Sequence, residues 1–418
     1  MTTTTTATTA DSTTTARPRR TRSLAAALAG AAVLSLGLTS AATASPQAPE
    51  GPQAPPRSAL VQQRLDDLVD GNGFPGALAA VRGADGRVTN YTSGVQDLAT
   101  GDPIHADGRV RIASNTKTFT AVVVLQLVGE GAVALDEPVE TYLPGVVRGP
   151  GGDGRAVTVR QLLQQTSGLP DYDTVVADVS KGDTALLDIR HTYFEPSRLL
   201  QAALGAPAEF APGTRWQYSN TNYLLAGMLV QRVTGRPIGE QITRRVIDRL
   251  GLEDTYWPGV GEQEIRGEHP RGYLAAGEDA PWTDVTETDP SLGWAAGQLV
   301  STPSDLARFQ AAVLGADGAA GSDLLAPAQR EELLKTVPAD EFEPEPGWSY
   351  GLGLAHRTLS CGVEAWGHGG DIQGYETRNL VTSEGRSVVV AVSALPRTLE
   401  DLSDVNAAVE AAVCDGRS

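Results

Sequence analysis

The hydrophobic and polar positions beyond residue 76 predict a β-hairpin near each end of the chain. Residues 77–82 and 87–91 read as short strands joined by an Ala-Asp-Gly turn. Residues 378–382 and 387–393 repeat this pattern across a Ser-Glu-Gly turn. Residues 399–413 follow as a predicted helix, because their apolar positions recur at helical spacing.

The segment between the two hairpins has a mostly helical pattern, and one helix in it is apolar on nearly all sides. Residues 119–128 read FTAVVVLQLV, so the helix that begins at Ser114 is predicted to be buried. Gly129 and Gly131 end it. Strands at both ends with a helical insertion predict an α/β fold: an antiparallel sheet flanked by helices, with an inserted all-α lobe.

The first 44 residues have the pattern of a signal peptide with a threonine-rich start. Four arginines at positions 17–22 precede an apolar run at 23–38, and Ala-Thr-Ala at 42–44 is a small-x-small cleavage site. Residues 45–57 form a proline-rich linker, and residues 58–418 remain as one large domain. We therefore expect a secreted protein without a membrane anchor after cleavage.

The chain is acidic, with 51 Asp and Glu against 33 Lys and Arg and a formal net charge of -18. Binding to nucleic acid or to an anionic membrane is therefore not expected. The five histidines are scattered, and neither H-E-x-x-H nor C-x-x-C occurs, so neither a metal nor another cofactor is expected. We expect a monomer.

Cys361 and Cys414 are the two cysteines of the chain. In an exported protein such a pair predicts a disulfide, which would tie the C-terminal helix to the strands before it. Closing this loop would stabilise the fold by about 4 kcal/mol in the chain-entropy model. Two buried free thiols are the alternative.

Lysine is rare in this chain, and one of its three lysines lies three residues after Ser114. Ser114 and Lys117 therefore share one face at the start of the buried helix. A helix N-cap explains Ser114 alone, but a capping box takes Glu or Gln at the third position, and the helix dipole opposes a cation there. Burial and the dipole both favour a neutral amine, so Lys117 could accept the Ser114 proton, as a serine nucleophile requires.

Two later stretches carry further candidate chemistry. Tyr218 and Asn220 stand in YSN before a helix predicted at residues 221–233, where a packing tyrosine and an N-cap are the structural alternative. His368 opens HGGD, whose glycines allow a close approach of the backbone.

A rival nucleophile motif, G-x-S-x-G, occurs at residues 347–351 around Ser349. In α/β-hydrolases this motif follows a strand and opens a helix. Here it follows a Pro/Glu-rich loop and precedes a predicted strand, so Ser349 is not expected to be a nucleophile.

Together these elements resemble the serine β-lactamase and penicillin-binding protein superfamily, whose signature is S-x-x-K, then Y-x-N or S-D-N, then K-T-G or a variant. They occur here in that order, as Ser114/Lys117, Tyr218/Asn220 and His368/Gly370. TSGLP at residues 166–170 and GQLVSTPSD at residues 297–305 also look like family phrases. A tyrosine combined with histidine in place of lysine looks most like secreted soluble D-alanyl-D-alanine carboxypeptidases, and class C β-lactamases and β-lactamase-like esterases share the tyrosine.

The resemblance implies a β-lactamase/transpeptidase-like fold and an acyl-enzyme mechanism. Ser114 would attack a carbonyl carbon, and Lys117 and Tyr218 would act as the proton-transfer pair, with Tyr218 ionised toward phenolate beside His368. The backbone N–H groups of Ser114 and Asp371 would form the oxyanion hole.

The substrate-binding residues that the resemblance implies surround this centre. Asn220 would hold the amide of the acyl group, and His368, Gly370 and Asp371 would lie along the substrate. Trp294 would line the cleft.

Three departures from the family pattern concern recognition of a C-terminal carboxylate. Gly369 replaces the hydroxyl residue of H-T-G, and Ala355 replaces an arginine on the strand before the cysteine. Arg357, two residues on, would compensate only if it faced the cleft. Gln165 replaces a histidine before TSGL.

The sequence thus predicts a secreted serine hydrolase, foremost a D-alanyl-D-alanine carboxypeptidase that acts on peptidoglycan stem peptides and binds penicillin. A β-lactamase-like esterase or a class C-like β-lactamase is the alternative. A non-catalytic binder of wall peptides or β-lactams is a third hypothesis, which the complete set Ser114, Lys117 and Tyr218 opposes.

Overall fold

The computed structural model describes residues 57–176, 187–316 and 323–415. The predicted signal peptide at residues 1–44, and the linker up to residue 56, lie outside the described residues. Arg57, the last residue of the predicted linker, begins the first helix. No helix in the described ranges is both long and apolar enough to cross a membrane.

The strands, in chain order, are β1 (Gly76–Arg82), β2 (Val88–Gly94), β3 (Val110–Arg111), β4 (Arg148–Gly149), β5 (Gly152–Asp153), β6 (Tyr273–Leu274), β7 (Thr283–Asp284), β8 (Val300–Ser301), β9 (Val337–Pro338), β10 (Ser349–Tyr350), β11 (Ala355–Thr358), β12 (Glu364–Gly367), β13 (Gly370–Ile372), β14 (Tyr375–Thr382) and β15 (Ser387–Val392). A nine-stranded sheet has the order β2-β1-β15-β14-β12-β11-β10-β9, and β13 also pairs with β14.

The two predicted hairpins pair with each other through β1 and β15, toward one edge of this sheet. Ala79 on β1 pairs with Tyr91 of its own hairpin and with Val390 of β15. The pairings along the sheet are antiparallel, and β14 begins at Tyr375, three residues before the predicted strand. β15 is buried along its whole length, since its six residues SVVVAV face packed layers on both sides.

The helices are α1 (Arg57–Asp66), α2 (Thr116–Gly129), α3 (Val139–Tyr142), α4 (Val159–Leu163), α5 (Asp173–Val176), α6 (Pro196–Gly205), α7 (Asn220–Thr234), α8 (Ile238–Ile242), α9 (Asp248–Leu250), α10 (Trp294–Gly297), α11 (Pro303–Val313), α12 (Pro327–Leu333) and α13 (Leu399–Cys414). The described ranges also contain 3₁₀ turns at Ala113–Asn115, Leu187–Ile189 and Pro290–Leu292 and π-helical turns at Asp67–Gly71 and Thr243–Ile247.

Helices cover both faces of the sheet, so the predicted fold class is confirmed. The terminal helices α1 and α13 pack on one face, where Val405 and Val409 of α13 are buried. On the other face, α11 packs against β1 and β15 and joins the core of the inserted lobe. That lobe is mostly helical, and it also contains the two-stranded ribbons β3/β8, β4/β5 and β6/β7.

The buried helix predicted from the sequence is α2, the central helix of the inserted lobe. Its residues from Thr116 to Leu125 are buried without interruption. Phe119 stacks on Phe309 of α11 with ring centroids 3.5 Å apart, which joins the lobe to the sheet. A helix surrounded by core in this way is a rigid support for side chains at its first turn.

A disulfide joins Cys361, between β11 and β12, to Cys414, the last residue of α13. It ties the terminal helix to the strands on which that helix packs. The N-terminus of α13 is held by a capping box between Thr398 and Asp401.

Candidate active site

Ser114 lies in the 3₁₀ turn Ala113–Asn115 that leads into α2, and its side chain is partly exposed. The residue before it, Ala113, has φ +43°, a left-handed conformation that costs a residue with a Cβ about 1–3 kcal/mol. The buried Asn115 holds this turn in place, because its Nδ2 donates to the Ile112 carbonyl oxygen at 2.9 Å and to Thr377 Oγ1 on β14 at 2.7 Å. These hydrogen bonds therefore fix the strained turn to the sheet.

Lys117, the second residue of α2, is completely buried, and its Nζ contacts three acceptors. These are Ser114 Oγ at 2.9 Å, Asn220 Oδ1 at 2.7 Å and the Ala296 carbonyl oxygen at 2.9 Å. The structure therefore joins Lys117 to the predicted nucleophile and to Asn220 of the second motif.

Burial lowers the pKa of Lys117 from 10.5 to about 7. The Asp171, Asp173 and Asp371 carboxylates act in the opposite direction and keep the pKa from falling further. An amine with a pKa near 7 exists in both protonation states at neutral pH, which is what a general base needs.

Tyr218 packs between Lys117 and a group of aromatic rings. Lys117 Nζ lies 4.7 Å from the centroid of the Tyr218 ring, and the Phe342 centroid lies 6.3 Å from it. Desolvation and the neighbouring Tyr350 raise the Tyr218 pKa well above 10, against a hydrogen bond with Ser114 that lowers it. The phenolate expected for Tyr218 is therefore wrong for this site, because the ring lies in a poorly solvated, aromatic environment that favours the neutral phenol.

Asn220 is the first residue of α7, and its side-chain amide is engaged at both ends. Its Oδ1 accepts from Lys117, and its Nδ2 donates to Asp173 Oδ2 at 2.7 Å and to Asp171 Oδ2 at 3.2 Å. Asn220 thus connects Lys117 to a pair of carboxyl groups. It also lines both cavities at Ser114, and its role of holding an acyl amide stays a prediction.

Asp171 and Asp173 are site residues that the sequence reasoning missed. Burial raises the pKa of both, and the charge of Asp171 contributes to raising that of Asp173 to about 8. Among the described residues, Asp173 Oδ1 has no hydrogen-bond partner. The available signal was the spacing: Asp-Tyr-Asp directly follows the phrase TSGLP.

His368 is almost fully buried, and both of its ring nitrogens are engaged. Nδ1 lies 2.5 Å from the Gly369 carbonyl oxygen, so it carries the proton, and Nε2 accepts from the Tyr350 hydroxyl at 2.9 Å. Burial and the charge of Lys117 lower the His368 pKa to about 3. The neutral ring packs in the cavity wall and does not supply a cation to Tyr218 or to a substrate.

Gly370 begins β13, which runs past the nucleophile turn. A Cβ at this position would lie 2.3 Å from the Ile112 carbonyl oxygen and 2.6 Å from Asn115 Nδ2. Gly370 therefore faces the turn and not the substrate, which corrects its predicted binding role. Its small size lets the backbone of Asp371 come close to Ser114.

Two of the three departures from the family pattern, Ala355 and Gln165, have structural explanations. Ala355, the first residue of β11, is buried in the core. Arg357 packs on Trp348, 5.1 Å from the ring centroid, and pairs with Glu410 of α13, so it does not line either cavity at Ser114. Gln165 is buried, and its Oε1 accepts from the Ser219 backbone N–H, which positions the Tyr218–Asn220 segment.

Two cavities meet at the nucleophile, and Ser114, Asn220 and Asp371 line both. The first, here the acyl cavity, has apolar walls that include Tyr172, Ile189, Leu292 and Ile372, together with Asp173 and Arg190. The second, here the leaving-group cavity, is lined by Tyr218, Phe342, Glu343, His368, Gly369 and Arg378, among others.

Trp294 lines neither of these two cavities, so its predicted place is wrong. Its ring contacts Gly227 of α7 and borders a separate pocket with Trp257. The neighbouring residues Gly293, Ala296 and Gly297 line the acyl cavity instead.

The rival nucleophile motif around Ser349 lacks the strand-to-helix turn that it requires. Ser349 lies on β10 and not at a strand-to-helix turn. No group of three or more His, Cys, Asp or Glu residues in the described ranges is placed to hold a metal ion.

Comparison with known proteins agrees with this geometry. A Streptomyces sp. D-stereospecific amidohydrolase is similar in structure, with 38% identity, a TM-score of 0.74 and coverage of 84% of this chain and 98% of that protein. The D-amino acid amidase of Ochrobactrum anthropi SV3 follows with 29% identity, a TM-score of 0.73 and coverage of 87% and 99%. Penicillin-binding protein 4 of Amycolatopsis lactamdurans is 28% identical over 338 residues, which are 79% of this chain and 83% of that protein.

The family model described as Beta-lactamase matches residues 61–413, nearly all of the region after the predicted linker. The three sequence motifs lie within that match, and the sheet and helices have the matching architecture. The chain therefore belongs to the beta-lactamase family of serine hydrolases.

Proposed function

We propose that this chain hydrolyses an amide bond on the carbonyl side of a D-amino acid that has a free α-ammonium group. One observation carries the proposal: Asp173 lines the acyl cavity, and its Oδ1 has no partner among the described residues. The D-stereospecific amidohydrolase and D-amino acid amidase that share this fold support the choice of acyl group.

A substrate ammonium fits the electrostatics of the acyl cavity. Without substrate, burial and Asp171 raise the pKa of Asp173 to about 8, so the carboxyl group binds a proton at neutral pH. A neighbouring cation favours the ionised carboxylate, so the ammonium would replace that proton. The apolar walls of Tyr172, Ile189 and Leu292 would receive the side chain of the same residue.

The catalytic steps follow from the contacts of Lys117. Neutral Lys117 has two N–H bonds, which Asn220 Oδ1 and the Ala296 carbonyl oxygen accept, so its lone pair is left to Ser114. Ser114 Oγ bonds to the carbonyl carbon as its proton moves to Lys117 Nζ, and the backbone N–H groups of Ser114 and Asp371 hold the oxyanion. The C–N bond then breaks as Lys117 returns the proton to the leaving amine. Water releases the acyl group by the same route.

D-Alanyl-D-alanine carboxypeptidase activity on peptidoglycan stem peptides, with acylation by penicillin, is a second proposal. It is favoured by the likeness to Penicillin-binding protein 4 over most of both chains. Both activities place a D-residue on the acyl side of Ser114 and differ in the leaving group. Secretion, which would bring the enzyme to wall peptides, belongs to the same proposal, and an esterase or β-lactamase using this centre stays the alternative.

The test compares hydrolysis of D-phenylalaninamide with that of its L-enantiomer, of N-acetyl-D-phenylalaninamide, of a peptide ending in D-Ala-D-Ala and of p-nitrophenyl acetate. We expect the free D-amide to be preferred, and Ser114→Ala to abolish every activity. Equal rates for the free and N-acetylated amides would refute ammonium recognition. Preference for the peptide over both amides would favour the carboxypeptidase.

A further inference from the structure

The Arg378 side chain lines the leaving-group cavity. Its guanidinium fills the space beside Gly369, where the family pattern has a hydroxyl residue. A Cβ on Gly369 would lie 2.8 Å from the Arg378 guanidinium carbon and Nη1, and 2.9 Å from Glu343 Oε1. A side chain at residue 369 and the observed position of Arg378 therefore exclude each other. Arg378 can therefore occupy this position only because residue 369 is a glycine.

Three carboxyl groups surround the guanidinium. Arg378 Nη1 lies 2.8 Å from Asp371 Oδ1 and 2.5 Å from Glu376 Oε1, and Nε lies 3.1 Å from Glu343 Oε1. The side chain of Arg378 is 6% exposed, whereas that of Asp371 is 57% exposed. A molecule that enters this cavity therefore meets the Asp371 carboxylate before the guanidinium.

The charges of this cluster do not leave a net cation for a ligand. Desolvation opposes ionisation of Asp371, but the Arg378 guanidinium outweighs it and lowers the pKa to about 2. Burial raises the pKa of both Glu343 and Glu376, against the charge of Arg378. Even with both glutamates protonated, Asp371 balances the charge of Arg378, and ionisation of either one makes the cluster negative.

The two cavities divide the substrate at Ser114. The scissile carbonyl must lie at Ser114 Oγ, where the cavities meet. With the D-aminoacyl part beside Asp173, the leaving group extends into the other cavity, past Asp371 and Gly369. The charge of the cluster thus acts on the leaving group.

We propose that the Arg378 cluster selects against leaving groups that bear a carboxylate, and so makes this hydrolase specific for ammonia, neutral amines or cationic amines as products. The proposal rests on the proposed function only in placing the acyl part beside Asp173. Glu343 is the residue through which selectivity can be changed, because it comes from the loop between β9 and β10 and contacts Arg378 without belonging to β13 or β14.

The experiment follows turnover of p-nitrophenyl acetate while D-Phe-D-Ala or D-Phe-D-Ala amide competes for the site. Competition reports occupancy of the cleft whether or not the peptide is cleaved, and separate detection of free D-Phe reports cleavage. We expect the amide to compete at least about tenfold better than the carboxylate in the parent protein. At a pH high enough to ionise Glu343, whose pKa burial raises, Glu343→Gln should reduce that ratio about tenfold by improving competition by the carboxylate, because it removes one negative charge beside Arg378.

Glu345→Gln is the matched control, because Glu345 lies on the same loop and accepts from Ser403 and Asn406 instead of Arg378. It should leave the ratio unchanged. Three outcomes would overturn the proposal. Glu343→Gln could leave the ratio unaltered, the parent protein could bind the carboxylate better than the amide, or neither peptide could compete. Competition with the expected ratio but without release of D-Phe would instead count against the proposed function alone.

Discussion

Lys117 Nζ lies 2.9 Å from Ser114 Oγ, at the first turn of a helix that is buried on all sides. The fixed acceptors of Asn220 and Ala296 leave only the direction toward Ser114 for the amine lone pair. Because burial also lowers the pKa of the amine, position and protonation state both suit proton transfer from the serine.

Replacement of Lys117 by arginine should abolish acylation. A guanidinium does not lose its proton in proteins, so the loss of a general base should lower the rate by about 10²–10⁴-fold. The burst of p-nitrophenol on mixing with p-nitrophenyl acetate measures this step. Lys335→Arg is the matched control, since Lys335 is exposed and paired with Glu332; a normal burst in Lys117→Arg would refute the base role.

The pH dependence of kcat/KM should show an acid limb with a midpoint near 7, the pKa of Lys117. Only the neutral amine accepts the Ser114 proton, so activity falls about tenfold per pH unit below the midpoint and reaches a plateau above it. The Asp371 carboxylate, which is ionised at this pH, raises the pKa of Lys117. Asp371→Asn should therefore move the limb to lower pH, as measured with an uncharged ester, and a shift to higher pH would contradict this assignment.

Asp173→Asn should weaken binding of substrates with a free ammonium group. Loss of a charge-assisted hydrogen bond of about 1.5–3 kcal/mol raises the KM for D-phenylalaninamide by about tenfold or more. The KM for N-acetyl-D-phenylalaninamide, which has no ammonium, serves as the internal control and should stay within about twofold. Equal effects on both amides would show that Asp173 acts on folding or on Lys117 alone.

Gly369→Ser should lower both stability and activity. Its Cβ would overlap the Arg378 guanidinium, and overpacking in a closed site typically costs about 1–3 kcal/mol. Thermal unfolding and ester turnover together measure the effect. Gly205→Ser, at a position with no atom within 4 Å of the added Cβ, should change neither. A serine at 369 that restored carboxylate recognition without loss of stability would show that Arg378 moves freely.

Removal of the disulfide by Cys361→Ser together with Cys414→Ser should destabilise the fold by about 4 kcal/mol, as the chain-entropy model gives for a loop of 53 residues. Chemical denaturation with and without reductant measures it. Neither cysteine lines the two cavities at Ser114, so kcat at low temperature should stay near that of the parent protein. A parent midpoint that reductant does not alter would contradict the expected stabilisation.

The pattern of apolar, polar and turn residues predicted the local elements of the fold. Alternation and turn residues placed both hairpins, and apolar residues on nearly every side of residues 119–128 predicted a helix with no exposed face. Spacing of three residues alone brought Ser114 and Lys117 together, because helix geometry makes such residues neighbours.

The sequence could not show contacts between distant segments. Asp171, Asp173 and Arg378 were missed because an aspartate or arginine in a charged chain has the pattern of a solvated surface residue. Their burial depends on elements that the chain brings together only when folded. The contacts of Asn220 with Asp171 and Asp173 were missed for the same reason, since these partners lie 49 and 47 residues before it.

The sequence by itself determined the fold class, the order of the motifs and the proximity of Ser114 and Lys117, because these depend on periodicity and on neighbours along one helix. Only the tertiary structure decided the protonation states of Tyr218 and His368 and the charge that a leaving group meets. Those properties follow from desolvation and from Coulomb interactions among side chains of separate elements, and both depend on distances that no spacing along the chain contains.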